Sequence, residues 1–170
     1  MSEAAIKQAL AGAVEYLTAN PAQARYRDGF ARAVLRDGLV VDTTGPAGEA
    51  VTTDMSTSVG GSGSAPSPGW LLRAAAASCV VTLVAMRAAM LDVKLESLEV
   101  TVDSESDDRG ILGIDLSTPA GPLSVRVAVL VRAPGADPDQ VRAIVSWGVE
   151  HCPVVDAVRR AVPTEIAIEA

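Results

Sequence analysis

The chain has 170 residues, of which 49% are hydrophobic and only 3% aromatic, so a single domain with a core of Ala, Val and Leu is expected. Its 14 basic and 21 acidic residues give a net charge of −7 and a pI near 4.6. This acidity is unfavourable for binding a phosphate backbone or an anionic lipid surface, and it argues against nucleic acid and membranes as partners.

The first segment, residues 1–20, is predicted to be an amphipathic helix that extends the domain at its N-terminus. Its apolar residues recur at helical spacing from Ile6 to Leu17, and Asn20-Pro21 ends the pattern. The opening sequence MSEAAIKQAL lacks the basic and then apolar order of a signal peptide, so the cytoplasm is the expected compartment.

Three short β-type runs follow between residues 25 and 55. They cover Gly29 to Leu35, Leu39 to Thr43 and Ala50 to Asp54, with Gly-containing turns between them. A three-stranded meander is therefore expected. A stretch rich in Gly and Ser, from Ser56 to Ser67, leads on to the next element, either as a flexible connector or as a gate over a pocket.

The longest apolar run, from Pro68 to Met90, is predicted to be a helix with Cys79 in its middle. Pro68 suits a first helical turn, and the alanines that follow have high helix propensity. The uncharged part covers residues 74–86, whereas about 20 residues are needed to cross a bilayer. We therefore expect residues 68–91 to form a buried core helix and not a membrane span.

Residues 95–132 are predicted to form a second meander. The β-type runs cover Leu95 to Val102, Ile111 to Leu116 and Leu123 to Arg132, and the turn DSESDDRG separates the first two. Two meanders would then flank one central helix.

The last part, residues 137–170, is predicted to hold two helices and a strand. The predicted elements are a helix from Pro138, a second helix from Val154 to Val162 and a strand from Glu165 to Ala170. Pro153 interrupts the helical pattern, so Cys152 is expected at a helix junction. No shift in composition marks a boundary, and residues 1–170 are interpreted as one domain.

The chain contains two cysteines, Cys79 and Cys152, which in a reducing compartment are expected to be free, reactive or transiently paired. With His151 as the only histidine and no zinc spacing, neither a metal site nor a cofactor is expected. Each cysteine could also be a structural residue, and His151 could simply end its helix. A hydrolase triad of Cys79, His151 and Asp156 is conceivable from residue types alone.

Two sequence elements carry a resemblance to a known family. LLRAAAASC at residues 71–79, in the helix that opens with Pro68, and CPV at residues 152–154 resemble the OsmC/Ohr family of osmotically induced and organic hydroperoxide resistance proteins. The resemblance extends from Gly29 to the C-terminus. It implies an α+β fold in which two β-meanders wrap around a central cysteine-bearing helix, within an intertwined homodimer.

The resemblance also implies thiol peroxidase chemistry in oxidative-stress defence. Cys79 matches the family's peroxidatic cysteine, which attacks an organic hydroperoxide, and Cys152 matches the resolving cysteine, which condenses with the resulting sulfenic acid. A dithiol reductant, for example of the lipoyl type, would then restore both thiols.

One position departs from the family pattern. Family peroxidases carry a glutamate directly after the proline that opens the cysteine helix, where it holds an activating arginine, and this chain has Gly69 there. Arg36 is the first candidate for that arginine and Arg32 the second. The alternative function is a divergent, non-catalytic family member that binds a small apolar or electrophilic ligand or senses oxidants.

Overall fold

The computed structural model describes residues 2–169, which divide into two compact units. Residues 11–74 form the first unit, and residues 75–169, with the start of the chain up to Leu10, form the second. The predicted N-terminal extension and last strand include Met1 and Ala170, which lie outside the described residues.

The first unit contains the predicted three-stranded antiparallel meander. The strands are β1 (Arg32–Asp37), β2 (Val40–Thr44) and β3 (Ala50–Thr53). β2 pairs with both neighbours, and Gly38 adopts a φ of 55° in the short turn from β1 to β2. Glycine accepts that left-handed conformation without the penalty that a Cβ would bring, so the turn can be tight.

Two long helices belong partly to each unit: α1 (Glu3–Ala19) and α2 (Pro68–Met90). No described residue of α1 is buried, and Lys7 forms an ion pair with Asp92 just beyond the end of α2. Asp92 has a φ of 55°, and the next N–H, that of Val93, returns to the carbonyl of Ala88. This left-handed cap ends α2 close to its predicted boundary.

The second unit packs one stripe of α2 against a two-stranded antiparallel sheet and two helices. Its other main elements are β4 (Ser97–Glu105), β5 (Ser124–Arg132), α4 (Pro138–Glu150) and α5 (Pro153–Arg159). The buried stripe recurs every four residues along α2 and consists of Ala76, Val80, Val84 and Ala88. The α+β class expected from the sequence is confirmed.

By length and composition alone, α2 could cross a membrane, and it is the one helix between residues 2 and 169 that meets this test. Its buried stripe makes it the core helix of the second unit, as predicted. However, only 17% of the candidate span is buried within the single chain, and Trp70 is 50% exposed. Much apolar surface of α2 is therefore available for a partner.

The prediction of a second meander is wrong for its middle strand, because residues 111–116 form no strand. Residues 108–111 instead form a short helical turn, α3 (Asp108–Ile111), and turns continue towards β5. The Asp107 carboxylate accepts hydrogen bonds from the backbone N–H of Arg109, and Asp115 bonds the N–H two residues after itself. Such local side-chain bonds offer the backbone an alternative to strand pairing.

The predicted last strand is also not formed in its described part, residues 165–169. Ile166 and Ile168 are 83% and 85% exposed, since no strand of the described chain pairs with this segment. Alternation of apolar and polar residues favours a strand only where a neighbouring strand is present. The second predicted C-terminal helix exists as α5, which ends at Arg159, before the predicted Val162.

Gly148 is where α4 comes closest to α2. A Cβ at this position would lie 2.5 Å from Val84 Cγ2 and 2.9 Å from the Val84 backbone nitrogen, which cannot move away as a side chain could. We expect Gly148→Ala to lower the free energy of unfolding by about 1–3 kcal/mol, as overpacking of a core does.

Gly12→Ala is the matched control, because a Cβ at Gly12 in α1 meets nothing within 4 Å. That substitution should stabilise the protein by about 0.5–1 kcal/mol through helix propensity. Urea unfolding of the two variants measures both effects. Equal stability of Gly148→Ala and the wild type would contradict the close approach of the two helices.

Candidate functional site

The structure brings Cys79 and Cys152 into contact. Cys79 lies on α2, and Cys152 lies at the junction between α4 and α5, as the sequence predicted. Both thiols are free, and Cys79 packs against the core cluster that contains Cys152, close enough for Cys152 to act on its pKa. Cys152 is completely buried, whereas Cys79 is only partly buried. Cys79 is therefore the more accessible sulfur of the pair.

The first turn of α5 offers backbone N–H groups to both cysteines. The N–H of Val155 donates to Cys152 Sγ over 3.5 Å, and the N–H of Val154 is near enough to Cys79 to lower its pKa. The first N–H groups of a helix have no partner within the helix, and Pro153 in the first position has no N–H to offer. The sequence Cys-Pro-Val-Val thus aims its two free donors at the thiol pair.

Burial raises the pKa of the Cys79 thiol, and the contact with Cys152 raises it further, whereas the N–H of Val154 lowers it. The net direction is upward, and within residues 75–169 no cationic side chain acts on this sulfur. Since the thiolate is the nucleophilic form and the raised pKa favours the thiol, Cys79 as it stands in the second unit is mostly protonated at neutral pH. A positive charge from outside the second unit would be needed to activate it.

Arg36, the predicted activating residue, is in the first unit and lies at the β1–β2 end of the meander. Its guanidinium donates to Asp42 Oδ1 over 2.6 Å, and the Thr52 hydroxyl donates to the same oxygen over 2.7 Å. The Thr52 hydrogen bond, and after it the guanidinium, hold the pKa of Asp42 below its usual value. Arg36 is thus held in place by a carboxylate partner, while Arg32 lies on β1 opposite Thr44.

Gly69, where the family glutamate is missing, has room for a side chain. The nearest atoms to a Cβ at this position are Arg73 Nη1 and Ser67 Oγ, each 3.9 Å away. That distance is ordinary contact, so the absence of a carboxylate at residue 69 is not forced by packing.

His151 and Asp156 do not assemble a hydrolase triad with Cys79. His151 Nδ1 bonds the carbonyl of Trp147 over 2.8 Å, and its ring stacks on the indole at 4.1 Å between centroids. Asp156 accepts from Arg160 Nε over 2.5 Å. The helix-end role of His151 considered from the sequence is therefore the observed one.

Asp54 is a buried residue whose role the sequence analysis did not identify. It is 1% exposed, and it accepts backbone N–H bonds from Met55, Ser62 and Ser64 at 2.7 to 3.1 Å. The hydroxyls of the two serines also donate to it, at 2.6 and 2.9 Å. These hydrogen bonds, of which that from Ser62 has the largest effect, hold the pKa of the carboxyl far below its usual range.

The Gly- and Ser-rich stretch is therefore an ordered loop built around one carboxylate and not a flexible connector. The sequence signal that could have identified this loop is an aspartate, Asp54, at the end of a predicted strand, followed by serines that belong to no predicted helix or strand.

An apolar cavity of about 200 Å³ lies between α2, β5, α4 and α5 in the second unit. It is lined by Ala76, Val125, Val127, Val149, Val155, Val158 and Arg159. Ala76 is one helical turn before Cys79, and Val149 and Val155 flank Cys152 in the chain. The lining offers room for an apolar group of a ligand near these two cysteines in the chain. Among residues 2–169 no cluster of side chains suited to a metal ion was found.

Comparisons with known proteins agree with the resemblance seen in the sequence. A family model described as OsmC-like protein matches residues 61–167. The comparison with curated proteins found no match.

Solved structures with the same fold include three with informative names. An organic hydroperoxide resistance protein from Legionella pneumophila has 22% identity and a TM-score of 0.58, covering 79% of this chain and 91% of its own. An OsmC-like protein from Mycoplasma pneumoniae has 12% identity and a TM-score of 0.67, with 81% and 91% covered. The organic hydroperoxide resistance protein OhrB of Bacillus subtilis has 19% identity and a TM-score of 0.51, with 79% and 93% covered.

Proposed function

Because the chain belongs to the OsmC-like protein family, we propose that it is a thiol-dependent peroxidase that reduces organic hydroperoxides in oxidative-stress defence. The observation that carries the proposal is the contact between Cys79 and Cys152, two free thiols that come together from distant parts of the chain. The organic hydroperoxide resistance proteins among the structural neighbours support a peroxide-related role.

In the proposed reaction Cys79 is the peroxidatic residue, because it is the accessible sulfur of the pair. Its thiolate attacks one oxygen of the hydroperoxide, the O–O bond breaks, and the departing alkoxide takes up a proton to leave as an alcohol. Cys79 is left as a sulfenic acid. Cys152 then attacks this sulfur, water is released and a disulfide forms, which a dithiol of the lipoyl type reduces back to two thiols.

We infer a homodimer, since much of the apolar surface of α2 is uncovered in the single chain. An intertwined arrangement, as the resemblance implies, would cover it, and the cytoplasm would supply the reducing conditions that keep both cysteines free. No nucleic acid, membrane, metal or cofactor has a part in this scheme.

Consumption of an alkyl hydroperoxide tests the proposal directly. With a dithiol present, the wild type should consume cumene or tert-butyl hydroperoxide faster than hydrogen peroxide, because the cavity lined by chain neighbours of the two cysteines is apolar. A rate equal to the uncatalysed one with every dithiol tried would overturn the proposal.

Arg36 is proposed as the group that activates Cys79. A nearby guanidinium lowers a thiol's pKa by about 1–3 units, so Arg36→Gln should raise the pKa of Cys79 and cut its alkylation rate at pH 7 about ten-fold or more. The measurement is the pH dependence of iodoacetamide alkylation in a Cys152→Ser background. Arg32→Gln is the control and should leave the rate unchanged. If Cys79 is alkylated at the same rate in Arg36→Gln and in Arg32→Gln, Arg36 does not activate this thiol.

A second function is favoured by Gly69 and by the raised pKa of Cys79. Without the family glutamate and with a protonated thiol, the protein would bind a small apolar or electrophilic ligand, or sense oxidants, without turnover. The pKa of the Cys79 thiol distinguishes the two functions. A peroxidase needs a low pKa in the assembled protein, whereas a binding protein does not.

A further inference from the structure

The C-terminal segment of residues 165–169, here called the tail, alternates like a strand but pairs with no strand of the described chain. Ile166 and Ile168 are both largely exposed. Glu165 and Glu169 form no ion pair with any residue that the structure describes. The tail therefore leaves two apolar side chains, two charges and its backbone hydrogen-bonding groups without partners.

Strand β1 is an uncovered sheet edge of matching length. It is an outer strand of the first unit's sheet, it pairs only with β2, and all six of its residues are exposed. Its pairing with β2 is regular from Arg32 to Leu35, and a register shift follows before Asp37. A regular, exposed edge offers its free N–H and C=O groups to a strand from another chain.

Charge distinguishes β1 from the other sheet edges. Arg32 forms no ion pair among residues 2–169, and Arg36 follows four residues later. The opposite edge of the same sheet, β3, lies between Glu49 and Asp54, two carboxylates that would repel an acidic tail. In the second unit, both arginines of β5 already form ion pairs with carboxylates of β4 or just before it. The free positive charge thus lies on β1.

We propose that the tail of one copy adds to β1 of a second copy as an antiparallel strand, the direction in which strand pairing is slightly more stable. Glu169 then lies opposite Arg32. At the other end Glu165 lies opposite Arg36, since both charge pairs have the same spacing of four residues. The two isoleucines of the tail lie opposite apolar residues of β1. The inference rests on the homodimer of the proposed function and identifies segments that the two copies exchange.

Amide hydrogen exchange of the whole protein tests the added strand. In the wild type the tail should exchange about ten-fold or more slowly than a free peptide of the same sequence, because the strand pairing has to open first. Arg32→Glu places like charges opposite each other and should cut this protection several-fold, and adding Glu169→Lys should restore it. Arg27→Glu is the matched control, because it makes the same change of charge outside every strand and should keep the protection.

Carbodiimide cross-linking identifies the occupant of the β1 edge. Arg32→Lys keeps the positive charge and supplies an amine, which should form an amide with Glu169 and give a covalent dimer on a denaturing gel. Arg32→Lys combined with Glu169→Gln is the control and should lose that product. A link between these two positions at the mass of a single chain would assign the tail to its own β1 and overturn the inference.

Sedimentation of the wild type separates this inference from the homodimer on which it rests. A dimer whose tail exchanges as fast as the free peptide would overturn the strand exchange and leave the homodimer standing. A protein that sediments as a monomer would overturn both.

Discussion

Cys79→Ser should reduce hydroperoxide consumption to the uncatalysed rate, whereas Cys152→Ser should still complete the first half of the reaction. A serine hydroxyl at residue 79 cannot become a nucleophilic anion near neutral pH or form a sulfenic acid. In Cys152→Ser the peroxidatic sulfur is intact, so about one equivalent of hydroperoxide should be consumed before turnover stalls with the sulfenic acid unresolved.

Both variants should fold, which keeps the comparison interpretable. Cys152 is the N-cap of α5, and its sulfur accepts the N–H of Val155. Serine is among the preferred N-cap residues, because its hydroxyl accepts the same bond. Trapping with dimedone followed by mass spectrometry should find a sulfenic acid on Cys79 in Cys152→Ser and none in Cys79→Ser. The reverse result would exchange the roles of the two cysteines.

Asp54→Asn should destabilise the protein markedly at neutral pH and loosen the loop that follows β3. The carboxylate accepts hydrogen bonds from three backbone N–H groups and two hydroxyls, and it is almost completely buried. An amide replaces one accepting oxygen with a donor and removes the negative charge from the rest. Protease cleavage within residues 56–67 should become about ten-fold faster or more, the factor that corresponds to one charged hydrogen bond.

The effect of Asp54 should depend on pH in a defined direction. Its pKa is lowered in the folded state, so its contribution is complete above the unfolded value of about 3.9 and is lost as the pH falls towards the folded value. The difference in urea midpoint between wild type and Asp54→Asn should therefore be full at pH 7 and shrink below about pH 4. Asp28→Asn, at an exposed aspartate, is the control. A difference that does not change with pH would contradict the role of the charge.

Sequence patterns predicted the helices well where a local signal marks each end. Pro68 and Pro138 mark the beginnings of α2 and α4, and both helices start at those residues. Asp137 also caps α4, since its side chain accepts the N–H of Asp139. These signals act within one turn of the chain and need no information from the rest of the fold.

The two missed strands show where local patterns are insufficient. Residues 111–116 and 165–169 alternate like strands, but a strand forms only where another strand is available to pair with it. In the first case side-chain bonds of Asp107 and Asp115 stabilise turns instead. Pairing partners lie far away in the sequence, so periodicity alone cannot reveal them.

The candidate site was predicted in part. The resemblance picked out Cys79 and Cys152, but spacing alone could not show that residues so far apart in the chain pack in the same part of the core. Asp54 was recognised from the sequence only as the end of the third β-type run, and its five hydrogen bonds assign it to the loop that follows.

The most direct test of the proposed peroxidase reaction is the intact mass of the wild-type protein after one equivalent of alkyl hydroperoxide, with no reductant present. The reaction should produce a loss of two hydrogens, a disulfide between Cys79 and Cys152 in the peptide map, and one alcohol released for each disulfide. An unchanged mass with the hydroperoxide still present would contradict it, and the cysteine pair would then belong to a binding or sensing site.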